Sequence, residues 1–91
     1  MTEQMKIVGE RLVEFSNLLK LDEKAFADAC GIRENRMNKL MKGEGNIKVE
    51  EIIAIQNRFG VSADYLLGLY SHPFPELRNK EQRNYMINSE K

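Results

Sequence analysis

The chain has 91 residues, 42% of them hydrophobic, and its 14 basic and 14 acidic side chains give a formal net charge of zero. A chain of this length buries one modest core, so we expect a single small domain. The longest apolar run, residues 52–55, is too short to cross a bilayer, and the start of the chain lacks the apolar segment of a secretion signal, which predicts a cytoplasmic location.

The first predicted helix spans residues 5–19. Its apolar residues Val8, Leu12 and Phe15 recur at intervals of four and three, which puts them on one buried stripe of a helix. Gly9 lies inside this helix and is expected to weaken it.

Two short helices follow, and Gly31 joins them. Asp22 can accept backbone N–H bonds in the first turn of the earlier helix, and Gly31 suits the left-handed position that often ends a helix. The later helix covers about residues 33–42. Three of its apolar residues have helical spacing, which predicts core packing: Met37, Leu40 and Met41. A helix pair with a short glycine-containing turn and a basic second member is the shape that places a recognition helix in the DNA major groove.

A glycine-containing loop separates this pair from a fourth helix, predicted over about residues 48–59 and closed by Gly60. The consecutive apolar residues 52–55 cannot all point inward on one helix. We therefore expect one of them, or one of Tyr65 and Tyr70, to contribute to a dimer surface.

Ser62 is predicted to cap a short fifth helix that Gly68 closes. No strand pattern of useful length appears, so the sequence predicts an all-α domain of five short helices. We assign this domain to residues 1–70 and a tail to residues 71–91. Two prolines prevent the fifth helix from continuing into the tail, and Pro75 could open a short last helix. The tail is either loosely docked or a contact arm.

Positive charge is concentrated on the basic helix and the loop after it. Residues 33–48 hold five basic and two acidic side chains, net plus three, whereas residues 1–32 hold four and six, net minus two. A charge run of this kind is often only a solvated helix face, and zero overall charge argues mildly against nucleic-acid binding. The local excess nevertheless lies where the helix pair would meet phosphate.

The sequence contains no pattern that indicates an enzyme. Cys30 is the only cysteine and His72 the only histidine, so no internal disulfide and no four-ligand metal site is expected. No nucleophile lies near a histidine, and there is no glycine-rich phosphate loop. We expect no cofactor, and we expect Cys30 to pack as a small hydrophobic residue.

Residues 7–69 resemble the lambda-repressor-like helix-turn-helix domain of the Cro and phage-repressor type. The most specific match runs from Phe59 to Gly68, F-G-V-S-A-D-Y-L-L-G, which is similar to the pattern that closes the family's domain. Other residues stand where the family has small or apolar framework positions: Leu21, Ala27, Gly31, Ile32 and Gly43. The resemblance implies a five-helix DNA-binding regulator of bacterial or phage origin.

Several positions depart from the family pattern. The glutamine that commonly opens the second helix is Glu23 here, and its carboxylate would repel a phosphate. Arg33 replaces the serine or threonine cap of the third helix and cannot accept a backbone N–H bond, although it could reach a phosphate. Ser16 and Met41 occupy the positions of a charge pair that the family often forms, so both members of that pair are missing together.

Carried over residue by residue, the resemblance assigns base reading to four positions of the third helix: Glu34, Asn35, Arg36 and Lys39. Arginine and lysine donate to guanine, asparagine pairs with adenine, and glutamate accepts from cytosine. Five other residues are expected to contact phosphate, which positions a protein without specifying sequence: Lys24, Arg33, Lys42, Asn46 and Lys48.

Three functions remain open at this point. The first is a sequence-specific, double-stranded DNA-binding transcriptional regulator, expected as a homodimer whose third helices lie about one DNA turn, roughly 34 Å, apart. The second is an antitoxin-like regulator that also binds a protein partner through its tail or its isoleucine surface. The third is a helix-turn-helix fold that has lost DNA binding and acts through protein contacts. None of the three involves a membrane.

Overall fold

The computed structural model describes residues 2–74. This part of the chain contains five helices and no strand: α1 Glu3–Leu18, α2 Glu23–Cys30, α3 Glu34–Met41, α4 Val49–Phe59 and α5 Ala63–Leu66. The predicted all-α class is therefore confirmed. The short helix expected to begin at Pro75, with the rest of the tail, lies outside the described residues.

Four of the predicted capping residues lie at helix ends in the structure, whereas α1 begins two residues before the predicted start, after Thr2, and α5 has Leu67 as its C-cap, one residue before the predicted Gly68. Asp22 Oδ1 accepts the Ala25 amide at 2.8 Å, and Ser62 Oγ accepts the Tyr65 amide at 3.3 Å. Glycines in the left-handed conformation end two helices: Gly31 at φ 74° after α2 and Gly60 at φ 70° after α4. Local chemistry thus sets the lengths of these elements.

Phe15 of α1 is the centre of an aromatic cluster. Its ring centroid lies 6.0 Å from that of Phe26 in α2, 5.7 Å from that of Phe59 in α4 and 6.2 Å from that of Tyr65 in α5, all edge to face. Phe26 and Phe59 also stack on each other at 5.6 Å. Aromatic pairs of this kind stabilise by about 0.5–1.5 kcal/mol beyond the area they bury. One side chain of α1 therefore connects three other helices.

The chain turns back onto this cluster after α5. The Phe74 ring lies 5.5 Å from the Phe15 ring, and the Pro73 carbonyl oxygen accepts the Ser62 amide at 2.8 Å. Residues 73 and 74 thus pack with the helices, although they belong to the segment that the sequence assigned to the tail.

At Gly9 the backbone of α1 comes close to the backbone at the end of α3. A Cβ atom at this position would lie 2.7 Å from the carbonyl oxygens of both Leu40 and Met41, and 3.0 Å from the Gly43 nitrogen. The predicted core residues Met37 and Leu40 are 0% and 1% exposed. The glycine that weakens α1 in isolation is therefore what lets α3 pack against it.

We expect Gly9→Ala to lower the free energy of unfolding by about 1–3 kcal/mol, because the added methyl group meets backbone atoms that cannot move aside cheaply. In an unhindered helix the same change would stabilise by about 1 kcal/mol. A loss of stability would therefore indicate the close backbone contact, and a gain would indicate its absence. Urea unfolding measures the difference, and Glu10→Ala on the exposed side of α1 is the control. A Gly9→Ala protein as stable as the wild type would contradict the close approach.

Candidate nucleic-acid interface

Helix α3 has one buried and one exposed side. Met37 and Leu40 face the core, whereas three of the four predicted base-reading residues are exposed: Glu34, Asn35 and Lys39. Asn35 and Lys39 are four residues apart and therefore neighbours on one face of the helix. The fourth residue, Arg36, is half-buried. The polar face of α3 is thus open to solvent along most of its length.

An open groove of about 540 Å³ runs between α3 and the first turns of α4. It brings together several of the residues predicted to contact DNA: Arg33, Asn35, Arg36, Lys39 and Lys48. Glu50 and Glu51 line its α4 wall. Positive groups of α3 therefore face negative groups of α4 across this groove.

The other predicted phosphate contacts lie outside the groove lining. Lys42 and Asn46 are exposed at the end of α3 and in the loop that follows. Lys24 is exposed on α2, with its Nζ atom 3.4 Å from Asp28 Oδ2. An ion pair this exposed is worth little and leaves Lys24 able to meet another anion. Arg33 precedes α3 and makes no side-chain cap bond, as predicted.

Glu23 connects α2 to α3. Both of its carboxylate oxygens lie 3.1 Å from Asn38 Nδ2, which donates to them, and both side chains are half-buried. The carboxylate is therefore a structural acceptor as well as a negative charge at the start of α2. Sequence reasoning missed this contact, because the two residues lie 15 positions apart on different helices and no periodicity links them.

Arg36 forms a side-on pair with Glu51 of α4. The Arg36 Nε atom donates to Glu51 Oε2 at 2.7 Å, and Nη2 donates to Oε1 at 3.0 Å. Nη2 also donates to the Asn46 carbonyl oxygen at 2.7 Å. The hydrogen bond from Arg36 holds the pKa of the Glu51 carboxyl below its ordinary value of 4.5, and the bond to Glu51 raises the pKa of Arg36. A residue that the sequence assigns to base reading is thus engaged within the protein.

Glu51 also caps α4. Its Oε1 atom accepts the Lys48 amide at 2.8 Å, which is the reach of a third-position glutamate back to the residue before a helix. The spacing from Lys48 to Glu51 is the sequence signal that could have found this bond. The pairing with Arg36 has no such signal, because it depends on how α4 lies against α3.

No metal site or membrane-spanning segment appears in the described part of the chain. Within residues 2–74, no group of three or more histidine, cysteine or acidic side chains is placed to hold a metal ion. None of the helices there is long and apolar enough to cross a bilayer. Cys30 is buried in the core, and burial raises the pKa of its thiol to about 11, so it packs as the small hydrophobic residue that was predicted.

A comparison with protein families agrees with this architecture. A family model described as helix-turn-helix matches residues 12–66, which is more than half of the chain and includes α2 to α5 complete. The chain belongs to the helix-turn-helix family, in its lambda-repressor-like class. This is a family of regulatory domains that typically bind DNA, and not one of enzymes. No significant match was found among curated proteins or among solved structures.

The missing charge pair of this family is replaced by neutral packing. Ser16 is 4% exposed, and its hydroxyl donates to the Val13 carbonyl oxygen at 2.9 Å. Met41 packs against the core cluster. Neither position leaves a buried charge without a partner, which would be strongly destabilising.

The Arg36–Glu51 pair makes stability depend on pH in the acid range. Because the folded protein holds the pKa of Glu51 below 4.5, the contribution of the carboxylate is complete above that value and is lost as the pH falls through the folded-state pKa. We expect Glu51→Gln to cost about 1–3 kcal/mol of unfolding free energy near neutral pH, and progressively less in acid.

Urea unfolding at several pH values measures this difference. Glu50→Gln removes the same charge from the same turn at an exposed position and serves as the matched control, with little effect at any pH. A cost of Glu51→Gln that stayed constant from neutral to acid pH would show that the carboxylate charge does not stabilise the fold.

Proposed function

We propose that this chain is a sequence-specific regulator of transcription that binds double-stranded DNA with α3 in the major groove. The observation that carries the proposal is the exposed polar face of α3, on which Asn35 and Lys39 are neighbours beside Glu34. The eight residues of α3 span about 12 Å at the rise of an α-helix. This length is comparable to the width of the major groove, about 12 Å.

The chemistry of this face is suited to reading base edges. Asn35 can bond in bidentate fashion to adenine, Lys39 can donate to guanine, and Glu34 can accept from the amino group of cytosine. Each good bidentate contact discriminates against a wrong base by about 1–3 kcal/mol. Arg36 belongs to the same predicted set, but its guanidinium group donates to Glu51 and to the Asn46 carbonyl oxygen within the protein.

Phosphate contacts would fix the position of α3 in the groove. The proposed residues flank the helix on both sides and are all exposed: Lys24, Arg33, Lys42, Asn46 and Lys48. Their location supports an electrostatic contact on each side of the major groove, which gives affinity without sequence information. The neutral net charge of the chain therefore matters less than where its positive groups lie.

We further propose that the protein acts as a homodimer on a palindromic site, with recognition helices about 34 Å apart. Among the residues suggested for the dimer surface, Ile53 is 46% exposed, whereas Tyr65 is 0% exposed and belongs to the core. The burial of Tyr65 removes it from that surface. Ile53 is the better candidate from the apolar run in α4.

Selection of genomic fragments by the purified protein, read by sequencing, provides the preferred site and its symmetry. On that site we expect Asn35→Ala to cost about 1–3 kcal/mol and to relax preference at one base pair. Lys42→Ala should instead weaken binding to all sequences alike and reduce the slope of log affinity against log salt by about 1.

Arg58→Gln is the matched control for loss of a positive charge. Arg58 is exposed and lies ten residues beyond Lys48, which is about 15 Å along α4, so its loss should change affinity little. If the wild-type protein selects no defined site at physiological salt, the proposal fails, and a function through protein contacts alone becomes the better account. If it selects one but neither Asn35→Ala nor Lys42→Ala alters binding, direct reading by α3 is wrong.

Glu23→Gln should raise DNA affinity several-fold for all sequences, because it removes a negative charge at the start of α2, where the resemblance to the family places a phosphate contact. The amide oxygen can still accept from Asn38, so the free energy of unfolding should fall by no more than about 1 kcal/mol. Glu10→Gln, exposed on α1, removes the same charge elsewhere. Equal effects of the two substitutions on DNA affinity would refute a local role for Glu23.

A further inference from the structure

Three of the five N–H donors of the Arg36 guanidinium are engaged inside the protein. Its Nε atom donates to Glu51, and Nη2 donates to both Glu51 and the Asn46 carbonyl oxygen, so both N–H groups of Nη2 are used. Within residues 2–74, Nη1 is the nitrogen of this group that makes no hydrogen bond. The Arg36 side chain is only 28% exposed and that of Glu51 12%.

Bidentate reading of guanine needs two parallel N–H donors from neighbouring nitrogens, one for O6 and one for N7. Arg36 can present such a pair only by breaking a bond to Glu51 or to Asn46. Breaking the bond to Glu51 leaves the largely buried Glu51 carboxylate without its positive partner, which is costly. The free-protein geometry therefore opposes the role that the sequence assigned to this arginine.

The same bonds hold the loop between α3 and α4. Asn46 is attached to the guanidinium through its carbonyl oxygen, and the Lys48 amide is attached to Glu51. Gly45 packs against the other side of the group, since a Cβ atom there would lie 2.9 Å from Arg36 Nη1. Gly45 and Asn46 thus contact the guanidinium of Arg36, and Lys48 is attached to its partner Glu51.

We propose that Arg36 is a positioning residue, and that it acts through Glu51 to set the α3–α4 loop and with it the phosphate contacts of Asn46 and Lys48. The assignment rests on the proposed DNA-binding function. It moves sequence discrimination onto Glu34, Asn35 and Lys39, whose side chains are exposed. It also makes Glu51, an acidic residue, necessary for binding a polyanion.

The decisive experiment compares Arg36→Ala, Glu51→Gln and the double variant on the preferred site and on every single-base-pair variant of it. We expect each single change to weaken all of these DNAs by a similar factor, about 5- to 30-fold, with the ratios between them unchanged. The double variant should be no weaker than either single one, because all three break the same link. Glu10→Gln, which makes the same charge change at an exposed position of α1, is expected to leave binding unchanged.

A different pattern overturns the proposal. If Arg36→Ala removes the preference at one base pair while Glu51→Gln leaves affinity unchanged or raises it, Arg36 reads a base and Glu51 merely restrains it. Additive effects in the double variant would likewise show that the two residues act separately.

A readout without DNA separates this inference from the proposed function. Amide hydrogen exchange followed by NMR should be faster at Ile47 and Lys48 in Arg36→Ala, in Glu51→Gln and in Arg36→Lys, since lysine keeps the charge but lacks the planar fork. Lys39→Ala should leave exchange of both amides unchanged. If the wild-type protein binds no DNA, the proposed function fails, and unchanged exchange in the Arg36 and Glu51 variants would independently refute the positioning role.

Discussion

The packing around Phe15 is the interaction on which the rest of the structure depends. Its ring contacts aromatic side chains from α2, α4, α5 and the segment after α5, so four parts of the chain share one centre. Helices α2 to α5 have 11 residues or fewer and are too short to be stable alone in water. The contacts of Phe15 therefore make their folding cooperative, and they place α4 where its first turn can meet α3.

Helix α3 contributes no aromatic residue to the cluster around Phe15. It is held by Met37 and Leu40 in the core, by the backbone approach at Gly9, and by two polar links, from Asn38 to Glu23 and from Arg36 to Glu51. Each polar link joins α3 to a different neighbouring helix. Helix α3 therefore keeps a polar outer face and still has a defined orientation, which the proposed reading of bases would require.

The two acidic residues in these links have opposing effects on the candidate interface, one through their charge and one through their hydrogen bonds. Glu23 and Glu51 lie beside residues proposed to meet phosphate, yet both carboxylates accept hydrogen bonds from α3. In the proposed function their negative charge would oppose DNA affinity at long range, whereas their bonds would orient the proposed contact residues. The surplus of positive charge in residues 33–48 would then supply the attraction to phosphate.

The sequence by itself determined the five helices, the caps at Asp22, Gly31, Gly60 and Ser62, the all-α class and the helix-turn-helix family, because capping residues, left-handed glycines and apolar spacing act over a few neighbouring positions. It also identified the exposed face of α3 that carries Asn35 and Lys39. Only the tertiary structure decided what Glu23 and Arg36 contact. Their partners lie 15 residues away on other helices, and such a contact depends on the packing angle between helices, which no local pattern encodes.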